Sequence, residues 1–363
     1  MRQELLALLS ELVAIPSTTP PGDTARIAGF CKDFLEEYEA EVIGKGNLVA
    51  RLGSGKPSIV FNAHADTVDV GERTAWRTDP FKATLVERKV YGLGACNCKS
   101  AMAVHLWLAR EVARRGGPKR GEVVFTFVGD EENLGSQGLA ALRASGAIKP
   151  DTLVVAAQTR NRLVLEERGV MWVKAVTRGK AAHAGAPHAG ESAILKMHRV
   201  ISDLQKFRSR TSKTGHRSTL SIGRIRGGEN TNVVPDYCEI EIDRRLLPQD
   251  GFDSAFEELK ALCARADEVE LLTGTPGFSA SESGAGARAF LESIRAVTGR
   301  PPERLNVVGA SDARHFARDG IEILVIGPGD GADSHMPNEF VELEEVVDAA
   351  RIHLAAAERL LGL

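Results

Sequence analysis

The strongest constraint on this chain is an alternation: short apolar runs of strand length recur, and segments of helical period fill the gaps. "NLVARL" (Asn47–Leu52), "SIVFNAH" (Ser58–His64), "EVVFTFVGD" (Glu122–Asp130) and "DTLVVAAQ" (Asp151–Gln158) read as strands. Helical patterns run over Thr24–Tyr38, Ser100–Arg115 and Ser136–Ser145, and an opening helix spaces Leu5, Leu6, Leu9, Leu12 and Val13 ahead of Pro16. Strands this apolar need cover on both faces, which helices packed on a sheet supply. The expected fold class is α/β with a mainly parallel sheet.

After Gln158 the pattern changes. "RLVLEERGVMWVKAVTRG" alternates like half-buried strand; a helix over Ser192–Lys206, strands near Thr219–Arg226 and Tyr237–Asp243, and a helix near Phe252–Arg265 follow. The order β-β-α-β-β-α predicts a small α+β domain. From Gly284 the first pattern resumes, with a helix over Gly284–Val297, "EILVIGPG" (Glu322–Gly329) and a closing helix over Glu342–Leu361. At 363 residues the chain exceeds one ordinary core. The expected layout is one domain from 1–166 and 278–363, interrupted by an insert at 167–277.

The formal net charge of −3 gives no global reason to expect nucleic acid or an anionic membrane as partner. No apolar run reaches membrane-spanning length, and Glu4 and Glu11 interrupt the start where a signal peptide would need an apolar core. A cytoplasmic location is expected. Five scattered cysteines argue against a disulfide framework.

Polar residues gather where the predicted strands end, the edge at which open α/β sheets bind ligands. "NAHADT" puts His64 and Asp66 there, "GDEENLGS" puts Asp130, Glu131 and Glu132 there, and "DSHMPNE" puts His335 past the last strand. With "YGLGACNCKSAMA", "GKAAHAGAPHAGESAI", "NTNVVPDYCEIEIDRR", "GASDARHFA" and "GPGDGADSHMPNEFV", these motifs resemble, in order and spacing, the M20 metallopeptidase family, which includes acetylornithine deacetylase and succinyl-diaminopimelate desuccinylase.

The resemblance implies a zinc-exopeptidase-like catalytic domain, an inserted lid and dimerisation domain, a homodimer, and a small N-acyl amino acid as substrate. It implies that His64, Glu132 and His335 are zinc ligands and that Asp66 orients His64. Glu131 would be the general base, and His183 would polarise the scissile carbonyl from across the dimer. Asn232 and Arg245 would hold the substrate carboxylate, with the backbone at Gly329 near the substrate.

Two positions depart from the family pattern. Asn97 stands where an aspartate bridges both metals, and Gln158 stands where an acidic residue binds the first. A bridging carboxylate faces each of two cations about 3.5–4 Å apart with a charged oxygen, whereas an amide offers one acceptor and turns an N–H donor to the second cation. With only Glu132 anionic among five ligand positions, two zinc ions and a hydroxide would leave about two uncompensated positive charges in a semi-buried cleft. The expectation is a metal-depleted centre, with at most one zinc on the side of Glu132 and His335. The chain is expected to be an amidohydrolase that removes an acetyl, succinyl or carrier-linked acyl group. The alternative is a repurposed or inactive homologue that binds the ligand or transfers the acyl group without hydrolysis.

Cys96 and Cys98 read as packing residues rather than thiolate ligands, and His105 and His353 as packing or surface histidines. Lys196–Arg217 carries seven Lys/Arg and one acid. It is a solvated face or a docking surface for an acidic carrier protein.

Overall fold

The computed structural model describes residues 1–133, 135–303, 305 and 310–363. It divides into two compact units, one of Met1–Leu165, Ala280–Leu305 and Ser311–Leu363, the other built on Glu166–Ser279.

The first unit is built on a six-stranded sheet in the order Glu39–Ile43, Asn47–Gly53, Glu122–Val128, Ser58–His64, Thr152–Val155, Glu322–Val325. The last four run parallel, and the Glu39–Gly53 hairpin joins them antiparallel. Ser58–His64 is central and buried along its whole length, which is why it reads as an unbroken apolar run. Phe61 and Phe125 stack on adjacent strands, with centroids 5.4 Å apart. Helices Lys99–Arg114 and Leu343–Leu361 bring His105 and His353 into the same core, both fully buried, with rings 5.4 Å apart among Phe61, Phe125 and Phe290. Both are packing histidines.

Several elements are shorter than their sequence pattern. The second helix is Ala25–Phe34 rather than Thr24–Tyr38. Leu35 and Tyr38 turn into the core, and the Tyr38 hydroxyl donates to the Ala109 carbonyl at 2.9 Å, so the chain leaves the helix to enter the edge hairpin. The helix expected over Ser136–Ser145 is Leu139–Ala144, beginning only after Gly138. The fourth strand stops at Val155, which frees Gln158 to leave the sheet.

The second unit has a four-stranded antiparallel sheet in the order Thr219–Gly227, Tyr237–Leu246, Gly169–Arg178, Glu268–Thr275. Its core joins Met171, Val173, Ile240 and Ile242 to Met197, Val200 and Leu204 of the Ala193–Leu204 helix and to Leu259 of the Phe252–Leu262 helix. The element order is β-α-β-β-α-β, which corrects the expected β-β-α-β-β-α. Only Gly169–Arg178 of the first alternating stretch enters the sheet, because Glu166–Glu167 makes a separate two-residue pairing with Phe278–Ser279. The missing strand is Glu268–Thr275, whose largely exposed residues carry no alternation to betray it.

All five cysteines are buried and unpaired. Among the described residues, no helix is long and apolar enough to cross a membrane.

Candidate active site

The first unit brings its polar strand ends together. His64 closes the central strand, and Asp66, fully buried, follows two residues later. The Asp66 carboxylate accepts the backbone N–H groups of Glu131 at 3.3 Å and Glu132 at 3.2 Å, so it fixes the glutamate pair as well as the histidine. Burial pushes its pKa up, but His64 and those two N–H groups more than offset this and hold it below its ordinary value. Asp130 closes the loop that carries the pair, its backbone oxygen accepting from Gly135 N and its carboxylate from Gln137 N.

His64 Nδ1 lies 2.9 Å from the Asp66 backbone oxygen and 3.5 Å from its carboxylate, and Nε2 lies 2.8 Å from Asn97 Oδ1. Both ring nitrogens face acceptors, so the ring carries a proton on each. Burial opposes that charge, yet Cys98, Asp66 and Glu131 outweigh it and raise the pKa well above the ordinary histidine value.

Asn97 sits at the middle of the cluster. Its Oδ1 also accepts from Gln158 Nε2, while its Nδ2 donates to Glu132 Oε1 at 2.7 Å and lies 2.8 Å from His335 Nε2. When neutral, the His335 ring accepts that second N–H; when protonated, it turns to Glu132 Oε1, 3.0 Å away. Hydrogen bonding to Glu132 raises the His335 pKa above its usual value. His335 and Asp130 both adopt left-handed backbone, φ 59° and 71°, a conformation uncommon for residues other than glycine and often found at functional sites.

The segment that presents Asn97 is gripped from below. Glu339, 2% exposed, accepts the backbone N–H groups of Gly94 at 3.1 Å and of Cys96 and Asn97 at 2.8 Å each. Neither the sequence motifs nor periodicity singled it out, although it lies four residues past His335 in "HMPNEF". Glu339→Gln turns an N–H donor toward one of those donors. The expected loss is about 2 kcal/mol of stability in urea titrations, since hydrogen bonds to a charged acceptor are the stronger kind.

Glu131 has the chemistry of a proton carrier. Burial pushes its pKa up to about 7, with His64 and Arg314 opposing the rise. Arg314, its side chain 2% exposed, lies 3.4 Å from Glu131 and 3.6 Å from Asp312. The sequence reading missed both as site residues; the only signal was the quoted "GASDARHFA" motif, of which Gly309 lies outside the described residues. Gly329 has φ 87° and gives its N–H to Glu345, and a Cβ there would meet Cys96 Sγ at 2.6 Å, so only glycine fits.

Within the second unit, His183 pairs in register with Val233, which brings it beside Asn232, whose backbone oxygen accepts from Ala184 N. His183 is exposed and its Nδ1 accepts from Gly185 N at 3.0 Å. Arg245 is held elsewhere in that unit, in a two-pronged pair with Asp243 at 2.9 and 3.1 Å.

His64, Glu131 and Glu132 bring ligand atoms within 4.8 Å of one another, a seat for one cation once the cation displaces the proton on the His64 nitrogen that now faces Asn97. A pair of zinc ions does not fit these residues. The Asn97 N–H donor occupies the place between Glu132 and His335 where a second cation would have to sit, and Gln158 points its own N–H donor at the Asn97 oxygen.

An α/β sheet whose C-terminal edge gathers two histidines, a buried aspartate and paired glutamates defines a metallohydrolase-type scaffold. Residues 60–359 match the family described as Peptidase family M20/M25/M40, and the chain belongs to that family. It is 26% identical over 355 residues to an acetylornithine deacetylase of Vibrio parahaemolyticus, covering 91% of each chain. Its fold is that of the M20 metallo-carboxypeptidase Sso-CP2 from Sulfolobus solfataricus, with a TM-score of 0.81 at 18% identity, covering 99% of this chain and 100% of that one. The Bacillus subtilis YXEP protein, described as a dinuclear metal binding peptidase of the M20 family, superposes with a TM-score of 0.74 at 18% identity, covering 99% and 98% of the two chains.

Proposed function

We propose that the chain is an M20-type amidohydrolase that removes an acyl group from the nitrogen of an amino acid. The observation that carries this reading is the placement of Glu131, its backbone N–H held by the Asp66 carboxylate and its carboxyl 3.4 Å from Arg314, where burial pushes its pKa up to about 7. Such a group takes a proton from water as the water oxygen attacks the acyl carbon. It then returns that proton to the amine as the C–N bond breaks, leaving a carboxylic acid and a free amino acid. A cation held in this cluster by Glu132, and by His64 once its proton is displaced, would polarise the acyl carbonyl and leave the Glu131 carboxylate free to take the proton. Asp66 would keep His64 oriented, and the resemblance assigns His183, Asn232, Arg245 and the Gly329 backbone to the substrate.

The acyl group, homodimer formation and a carrier-linked substrate belong to the same proposal. The basic Lys196–Arg217 segment supports a carrier only in part. Lys196, Lys206 and Arg210 are already paired with Asp267, Asp203, and Asp250 with Glu258. Arg199, Arg208, Lys213 and Arg217 are exposed, with no acidic side chain within 4.0 Å among the described residues.

The test is release of free amine from a set of N-acetyl and N-succinyl amino acids, N-acetylornithine among them. Turnover of at least one is expected. The closed array around Asn97 favours a second reading, a homologue that binds such ligands without hydrolysis. Calorimetric binding across the set with no amine released would select it.

A further inference from the structure

We propose that the Asn97 carboxamide is a hydrogen-bonding hub that takes the place of a metal pair, with Gln158 as its matched partner. A primary carboxamide has two acceptor sites and two N–H donors. Here Oδ1 takes His64 Nε2 at 2.8 Å and Gln158 Nε2, while Nδ2 reaches Glu132 Oε1 at 2.7 Å and His335 Nε2 at 2.8 Å. The four side chains that would face cations face the amide instead. Asn97 is only 7% exposed, and the Glu339 carboxylate fixes its backbone, so the hub is built into the fold rather than formed by a loose side chain.

The two amides work only as a set. Aspartate at 97 would put a charged oxygen in the place of Nδ2, 2.7 Å from a Glu132 oxygen. Two carboxylates that close cannot both stay ionised without a cation between them. Glutamate at 158 would likewise replace the N–H now given to Asn97 Oδ1 by an oxygen. Restoring carboxylates therefore makes the centre depend on metal, whereas the natural pair leaves it complete without a metal pair. This claim stands apart from the catalytic reading, because metal occupancy is measured whether or not the chain turns over a substrate.

The test compares the full chain with N97D and N97D/Q158E by thermal melting in EDTA and in excess zinc chloride, and by zinc content after gel filtration. The natural chain is expected to retain at most one zinc per chain and to show a zinc-induced rise in melting temperature well below that of the double variant. N97D/Q158E should melt lower than the natural chain in EDTA and rise by about 5 °C or more with zinc, the shift expected for a ligand well above its Kd. Two retained zinc ions in the natural chain would overturn the proposal, and so would a zinc-induced rise as large as that of the double variant. A folded double variant indifferent to zinc would also overturn it, since the amides would then not be what excludes the metals. If the double variant does not fold, N97D alone decides: destabilised in EDTA and rescued by zinc if the hub is real, unchanged in both if it is not.

Discussion

Glu131→Gln is expected to lower turnover of a responsive N-acyl amino acid by about 10²–10⁴-fold, the range that a positioned general acid–base supplies. The substitution keeps the shape of the side chain and removes its capacity to take a proton. Burial opposes the Glu131 charge while His64 and Arg314 favour it, so the glutamine variant relieves one cost and loses one pairing and should melt within a few degrees of the natural chain. KM should change little, since the loss lies in the chemical step rather than in holding the substrate. An active Glu131→Gln enzyme, checked by steady-state kinetics on the purified variant, would mean that the proton passes through another group. A variant that fails to fold would indicate a structural role.

The second large effect is on stability against acid. His105 and His353 are fully buried, and among the described residues both nitrogens of His105 and Nε2 of His353 have no hydrogen-bond partner. Burial lowers the pKa of His353 to about 4 and that of His105 well below its ordinary value. Both rings are thus neutral in the fold and gain a proton on unfolding once the pH drops below the ordinary histidine pKa of about 6.5. The unfolded chain then binds more protons, so stability is fully present above about pH 6.5 and is lost as the pH falls toward 4. Each ring contributes a slope of about 1.4 kcal/mol per pH unit in that window, and the pair about 2.7. Urea titrations at several pH values should show this slope in the natural chain, and a His105→Leu/His353→Leu variant should flatten it by that amount. Equal slopes in the two proteins would show that the buried pair is already charged or hydrated.

The sheet of the first unit was legible because its central strands are covered on both faces and so read as continuous apolar runs, Ser58–His64 above all. Two exposed edge strands were not. Glu39–Ile43 and Glu268–Thr275 are edge strands whose side chains mostly face water, and only pairing to a neighbour reveals them. The strand-end cluster was legible for the same reason as the sheet, since His64, Asp66 and the glutamate pair follow directly from buried strands. Arg314 and Glu339 were not, because they act through distant contacts, one with Glu131 and the other with three backbone N–H groups. Asn97 was legible as an amide where a bridging carboxylate is expected. Its role as a hub became visible only once the four side chains around it were placed.

The most direct test of the functional account is hydrolysis of a responsive N-acyl amino acid in water enriched in heavy oxygen, with the released acid read by mass spectrometry. The account predicts one heavy oxygen atom in each released carboxylate and none in the recovered amino acid, in parallel with the appearance of free amine. Acyl groups that reappear unlabelled on an added amine, with no labelled acid, would contradict hydrolysis and make the chain an acyl-transfer protein on an M20 scaffold.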